Sequence, residues 1–245
     1  MIALLMLGMI DTTEILDVKN VTPPLHVEIA LVGRINIKKG TPGKIEFHKY
    51  CSEHIAKRLK FTLEADRVYI GLKDVKLIGW DETPEFDVYL PPNMTMELEL
   101  NFGAARFDID LGELTITRLE LNTGAIKGRI SCTGRASVEA MELNVGAAKL
   151  TIEDLGNISP KLLDIHCGVS NLTLSLNGDW SATCDIHIAT ALSKITVKAP
   201  TELDIQLTTE GFLTGGKQIV HPIPQVRIKV EGALNRVRLR RYRNI

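Results

Sequence analysis

The chain has 245 residues, of which 44% are apolar and 24% charged, enough to form a core and too apolar for disorder by composition. Its formal net charge of −1 argues against a nucleic-acid binder held by bulk charge. Four scattered cysteines, Cys51, Cys132, Cys167 and Cys184, form no CxxC pair and fit a reducing compartment better than a disulfide framework.

The first segment, MIALLMLGMI (Met1–Ile10), is apolar throughout. A bilayer span needs roughly 20 such residues. A secretory signal would open on a basic residue and close on small residues. The segment reads as a buried first strand. An atypical or clipped signal, or a wrongly assigned start, and a membrane-surface anchor are the alternatives. Without a clear signal, a cytoplasmic location is favoured. Residues 1–93 then carry irregular strand patterns: Leu25–Ile37, Lys44–Tyr50, Lys60–Ala65 and Arg67–Leu72 alternate as half-buried strands do. SEHIAKRL (Ser52–Leu59) is the one helix candidate, with Ser52 as cap and Ile55 and Leu59 on one face. Pro91–Pro92 marks a turn into the next region.

From residue 94 a phrase repeats. LELNFGAARFDI (Leu98–Ile109), LELNTGAIKGRI (Leu119–Ile130) and MELNVGAAKLTI (Met141–Ile152) share one pattern. Apolar residues stand five and three positions before a glycine and four and six after it, except that Gly128 replaces the first apolar residue after Gly124. The same frame fits Gly168, Ala191 and Ala233. The anchors Gly103, Gly124, Gly146, Gly168, Ala191 and Ala233 are 21, 22, 22, 23 and 42 residues apart. A fixed period of this length is a repeat architecture. The last interval reads as two periods, with the missing coil at Leu203–Pro224 broken by a loop near 211–224. Two runs of period two around a small residue predict two short strands and a corner per coil. Equivalent strands of successive coils then stack in parallel about 4.8 Å apart, and parallel crossovers wind right-handed by default. The glycine is expected to supply a backbone conformation that a Cβ disfavours. The asparagines Asn101, Asn122 and Asn144 are placed to stack as an amide ladder.

These features give an all-β chain: a right-handed parallel β-solenoid with two facing sheets, about 21–23 residues per coil, irregular N-terminal strands and one short helix. It reads as a single domain over 1–245, with regular coils from 94.

Candidate sites are few. His48, Cys51 and His54 have metal-ligand types, but His48 falls in a strand pattern and structural zinc takes four ligands. In His166, Cys167, Cys184 and His187 the register points Cys184 inward, His187 outward and His166 to the corner, so convergence is not expected. Glu99, Glu120, Glu142 and Asp164 form an outward acidic file. Arg106, Lys127, Lys149, Lys194 and Arg236 form a basic file across the same corner. Stacked like charges repel, so mutual compensation of the two files is the expected structural role. A cation or polysaccharide site on the acidic file is the functional alternative. The terminal Arg236, Arg238, Arg240, Arg241 and Arg243 guard an open sheet edge or contact phosphate or anionic lipid. No nucleophile-elbow, P-loop or zincin signature occurs. Catalytic, cofactor and metal residues are therefore assigned to none, and the chain is read as not an enzyme.

The order of irregular strands, a short helix, VYLPPNM (Val88–Met94) and repeats carrying N-x-G-A resembles the toast-rack or putative-adhesin family of β-solenoid domains. The likeness runs over Leu25–Val197 and more weakly over Ile228–Leu239. It implies a two-sheet solenoid, no catalytic motif, and a link to adhesion or envelope stress, with cell-envelope association. Function on this reading is a non-catalytic repeat scaffold or interaction domain, adhesin-like. The alternatives are a regulatory partner of a membrane signalling protein and a carbohydrate-binding or carbohydrate-cleaving solenoid. The expected partner is a protein, with carbohydrate as the second candidate and nucleic acid disfavoured.

Overall fold

The computed structural model of the chain describes residues 8–72, 83–211 and 225–243. Five long parallel strands form its centre: β7 (Thr95–Asp110), β8 (Thr115–Ser131), β9 (Ser137–Ile152), β10 (Leu162–Ser175) and β11 (Cys184–Pro200). Each is one coil of the repeat. The chain passes the expected corner without leaving the ladder, so what reads as two short strands is one strand with a first and a second arm. The register matches the repeat. Leu100 faces Leu121, which faces Leu143, then Ile165 and Ile188. These five are at most 1% exposed. Burying a side chain of this size fully is worth about 1.5–3 kcal/mol, so the files add substantially to the cohesion that the backbone ladders give between coils.

The corner glycines have a different cause from the one expected. None of Gly103, Gly124, Gly146 or Gly168 has a positive φ. A Cβ on Gly146 would sit 2.6 Å from the Gly124 carbonyl oxygen, and one on Gly168 would sit 2.8 Å from that of Gly146. At Gly146 and Gly168 the constraint is close approach of the neighbouring coil, not a left-handed backbone, whereas a Cβ on Gly124 would make an ordinary contact at 3.5 Å with the Gly103 carbonyl oxygen.

Gly128 departs from the apolar file of the second arm for a similar reason. Its file runs Ile35, Phe107, Gly128, Leu150, and a Cβ at Gly128 would lie inside the buried Phe107 ring. The large and the absent side chain fill one volume between them. Gly128→Leu is therefore expected to cost about 1–3 kcal/mol by overpacking. Adding Phe107→Leu should recover most of the loss, and a double-mutant cycle by thermal melting reads the coupling.

Both ends of the stack are out of chain order. β2 (Leu25–Lys39) pairs along β7 with both arms. Outside it lie β5 (Arg67–Leu72) on the first arm and β6 (Glu85–Leu90) on the second. β4 (Leu59–Glu64) then pairs antiparallel with β5, and β3 (Lys44–Ser52) and β1 (Met9–Asp17) continue antiparallel beyond β6. At the other end, β13 (Val226–Glu231) and β14 (Leu234–Tyr242) stack directly on β11, and β12 (Ile205–Glu210) pairs outside β13. The interval of 42 residues is thus one rung and not two; no coil is missing between β11 and β13. Period counting measures distance along the chain and cannot see that β12 steps over its successor. The loop near 211–224 falls, apart from Gly211, outside the described residues.

Three further expectations change. The first strand begins at Met9 within the described residues and is not buried: Met9 is 47% and Ile15 55% exposed, because β1 is the outermost strand of its edge. Met1–Leu7 lie outside the described residues. The helix is α1 (Glu53–Ala56), shorter than Ser52–Leu59, with Ser52 Oγ accepting from the Ile55 N–H at 3.4 Å. Only Ile55 is buried, and Leu59 already belongs to β4. A second one-turn helix, α2 (Leu155–Ile158), was not expected. It is held between left-handed Asp154 and Ser159 and buries Leu155 and Ile158.

Candidate interaction surface

Strand alternation turns every second residue of the first arm outward. Glu99, Glu120, Glu142 and Asp164 stand in one file, as expected, extended by Glu28 before them and by His187 and Lys229 after. Carboxylates at strand spacing repel, and the face itself supplies the remedy. Arg118, two residues before Glu120 and pointing the same way, donates to Glu120 Oε2 at 3.1 Å and to Glu142 Oε2 at 2.7 Å. The asparagine ladder adds more. Asn101, Asn122 and Asn144 donate to Glu99, Glu120 and Glu142 at 2.7, 2.9 and 3.2 Å. The Asn122 amide also donates to the Asn101 oxygen at 3.1 Å, and Asn144 to the Asn122 oxygen at 3.0 Å. The Asn122 hydrogen bond, aided by Arg118, holds the Glu120 carboxyl below its ordinary range despite partial burial. His187 Nδ1 lies 3.5 Å from Asp164 Oδ1.

The basic file is correctly aligned rung by rung from Arg106 through Lys127 and Lys149, with Asn171 interposed, to Lys194 and Arg236. It does not pair with the acidic file. Among the described residues the acidic file's ion partners are Arg118 and His187. The two files occupy different arms of the coil, so the compensation expected across the corner is replaced by pairing within the first arm.

At the N-terminal end of the same face, the β4–β5 hairpin borders a cleft of about 680 Å³. Its lining includes His26, Lys60, Tyr69, Glu97, Glu99 and Arg118. His26 Nδ1 is 3.1 Å from Glu97 and its Nε2 is 3.8 Å from Asp66. Donors and acceptors of both charges line one concavity, which suits an extended polar or charged partner. Sequence reasoning missed this cleft and Arg118. The signal for Arg118 was present, since it precedes Glu120 by two residues and must share its face. No local pattern marks the cleft, because β4 reaches this face through pairing with β5.

The metal-type residues separate. His48 on β3 lies between Asp11 on β1 and Asp87 on β6, with Nε2 2.6 Å from Asp11 Oδ1 and Nδ1 3.5 Å from Asp87 Oδ2. Cys51 is buried and His54 is exposed on α1. His166 and His187 face outward, and Cys167 and Cys184 inward. Burial pushes the Cys184 thiol up to about 12 and the Cys132 thiol up to about 11, so both stay protonated and are poor nucleophiles.

His48 ties the edge strands together in a pH-dependent way. The Asp11 hydrogen bond, then Asp87, raises its pKa above 6.5 against the effect of burial. The stabilisation is complete below the unfolded value and is lost as pH rises through the raised folded value. The protection of β1 amides, after correction for the intrinsic pH dependence of exchange, should therefore fall from mildly acidic to mildly alkaline pH, by a small factor since the pair is partly solvated. His48→Gln should flatten that dependence.

The sequence model of the family described as "N-terminal domain of toast_rack, DUF2154" matches residues 11–153. No curated protein matches this chain. Among solved structures, a putative adhesin from Bacteroides fragilis NCTC 9343 is similar at 14% identity, with 96% of this chain and 97% of that chain covered and a TM-score of 0.50. A putative cell adhesion protein from Clostridium sporogenes ATCC 15579 has 12% identity, 95% and 100% coverage and a TM-score of 0.46. At 14% identity the likeness to the Bacteroides fragilis structure concerns the fold alone.

Proposed function

This chain belongs to the family of the toast-rack N-terminal domain, and we propose that it works as a non-catalytic, adhesin-like interaction scaffold whose first-arm face receives a partner protein. The coils are read as right-handed, the usual hand of parallel crossovers, with first and second arms forming two facing sheets of one domain. The observation that carries the reading is the hydrogen-bonded grid of Glu120, Glu142, Asn122, Asn144 and Arg118. It holds side chains of the adjacent strands β8 and β9 in fixed positions beside the hairpin cleft. Such preorganisation lowers the entropy lost on binding. The β-solenoid also devotes its inward residues to stacking, leaving recognition to the outward files.

The test uses the full chain as bait in an extract of its native host. It is compared with a variant carrying Glu99→Gln, Glu120→Gln and Glu142→Gln. These outward changes remove charge and keep size, so melting should shift little. A partner retained by the parent chain and lost by the variant supports the reading. Equal capture by both, or turnover of a polysaccharide by the purified chain, overturns it. Glu142→Lys, which places a cation beside Arg118, should lower stability by about 1 kcal/mol or less and more at low salt. A large, calcium-dependent loss would instead make the acidic file a cation site.

A further inference from the structure

The second arms of β10, β11 and β14 carry no carboxylate. Their outward residues form a grid of three rungs. Asn171, Thr173 and Ser175 lie on β10; Lys194, Thr196 and Lys198 on β11; Arg236, Arg238 and Arg240 on β14. Among the described residues none of these five cations takes part in an ion pair. Glu202, in the turn after β11, takes its charge contacts from Arg243 and Arg241, and Arg241 turns away to donate to the Pro200 and Leu203 carbonyls, each at 2.7 Å.

Along the corner beside this grid runs a second file. Val169, Leu192 and Leu234 stack in register and are 55%, 49% and 48% exposed. Earlier coils place Ala104, Ala125 and Ala147 at the same position, so the aliphatic side chains enlarge where the acid-free grid begins. A shallow depression of about 400 Å³ joins the two files through Lys194 and Arg236.

We propose that this corner and grid form a docking surface for an anionic lipid bilayer, with the aliphatic file entering the headgroup layer and the cations lying against lipid phosphates. Both halves of an interfacial site are present: an apolar strip to bury and flanking cations for anionic headgroups. A soluble polyanion would engage the cations and leave the aliphatic file in water. Edge protection explains charge on β14, the outer strand. It does not explain Lys194, Lys198 and Leu192, one strand further in, or Val169, two strands in. This face lies on the arm opposite the proposed protein-binding surface, so the two can be tested separately.

The probe is a set of sucrose-loaded vesicles, of phosphatidylcholine alone or mixed equally with phosphatidylglycerol, sedimented with the full chain. Binding to the anionic vesicles only, weakened by salt, is the expected result. Lys194→Gln with Lys198→Gln and Arg238→Gln should lower the partition coefficient by about a hundredfold. Val169→Thr with Leu192→Thr keeps strand propensity and all charge, and should lower vesicle binding severalfold while leaving retention on heparin unchanged. Melting curves confirm that each variant is folded; where the glutamine variant is not, the threonine variant decides alone. No sedimentation of the parent chain with anionic vesicles overturns the proposal. So does threonine-variant binding equal to the parent's, which would mark a purely electrostatic polyanion site, as would retention on heparin or polynucleotide without vesicle binding.

Discussion

Leu143→Asp is expected to unfold the central coils together, lowering stability by about 4 kcal/mol or more. Leu143 is fully buried, between Leu121 of the coil before and Ile165 of the coil after. The substitution forfeits about 1.5–3 kcal/mol of apolar burial. It also places a carboxylate in the hydrophobic core between aliphatic Leu121 and Ile165, so the group must either be buried charged or take up a proton, and both are costly. Coils in a repeat stack depend on their neighbours, so the damage spreads to β8 and β10. Circular-dichroism melting compares it with Glu142→Gln, one residue away but outward, which should melt near the parent. A one-residue change of register exchanges the two faces of a strand. Leu143→Asp melting like the parent, with Glu142→Gln destabilised, would mean that the assigned faces are inverted.

Deletion from Leu234 onward is expected to convert the chain into an associating species. β14 pairs along Leu192–Pro200 of β11 and shields that ladder. Its inward Val237 and Leu239 pack against the core, and its outward Arg236, Arg238 and Arg240 are exposed. Removal opens the β11 second arm, whose N–H and C=O groups then recruit a strand from another molecule. It also removes the Arg241 bonds that hold the Pro200 and Leu203 carbonyls. Light scattering of full and shortened chains at equal concentration reads the effect, with an increase in mass expected for the shortened chain alone. A shortened chain that stays folded and monomeric would show that β14 is no edge cap.

The repeat frame was legible because stacking demands it. Residues such as Leu100, Leu121 and Leu143 must alternate with polar neighbours and recur each coil, and both features are visible in one dimension. The outward position of Glu99, Glu120 and Glu142, the amide ladder and the separation of His187 from Cys184 follow from the same parity. The Gly128 gap was visible as an exception to the pattern, but its cause, the Phe107 ring, belongs to the adjacent coil.

What the sequence by itself determined is therefore the content of each coil: which residues face in, which face out, and that equivalent residues align. Those follow from local alternation and from a period that survives along the chain. The tertiary structure decided the rest. It placed β5 and β6 outside β2, and β12 outside β13, because backbone donors and acceptors accept any strand in register, whatever its order in the chain. It assigned the acidic file to Arg118 rather than to the basic file, because charges pair across a few ångströms of one face and not across a corner. It also brought an acid-free cationic grid beside Val169, Leu192 and Leu234, a juxtaposition made by lateral stacking of β10, β11 and β14, which no single segment contains.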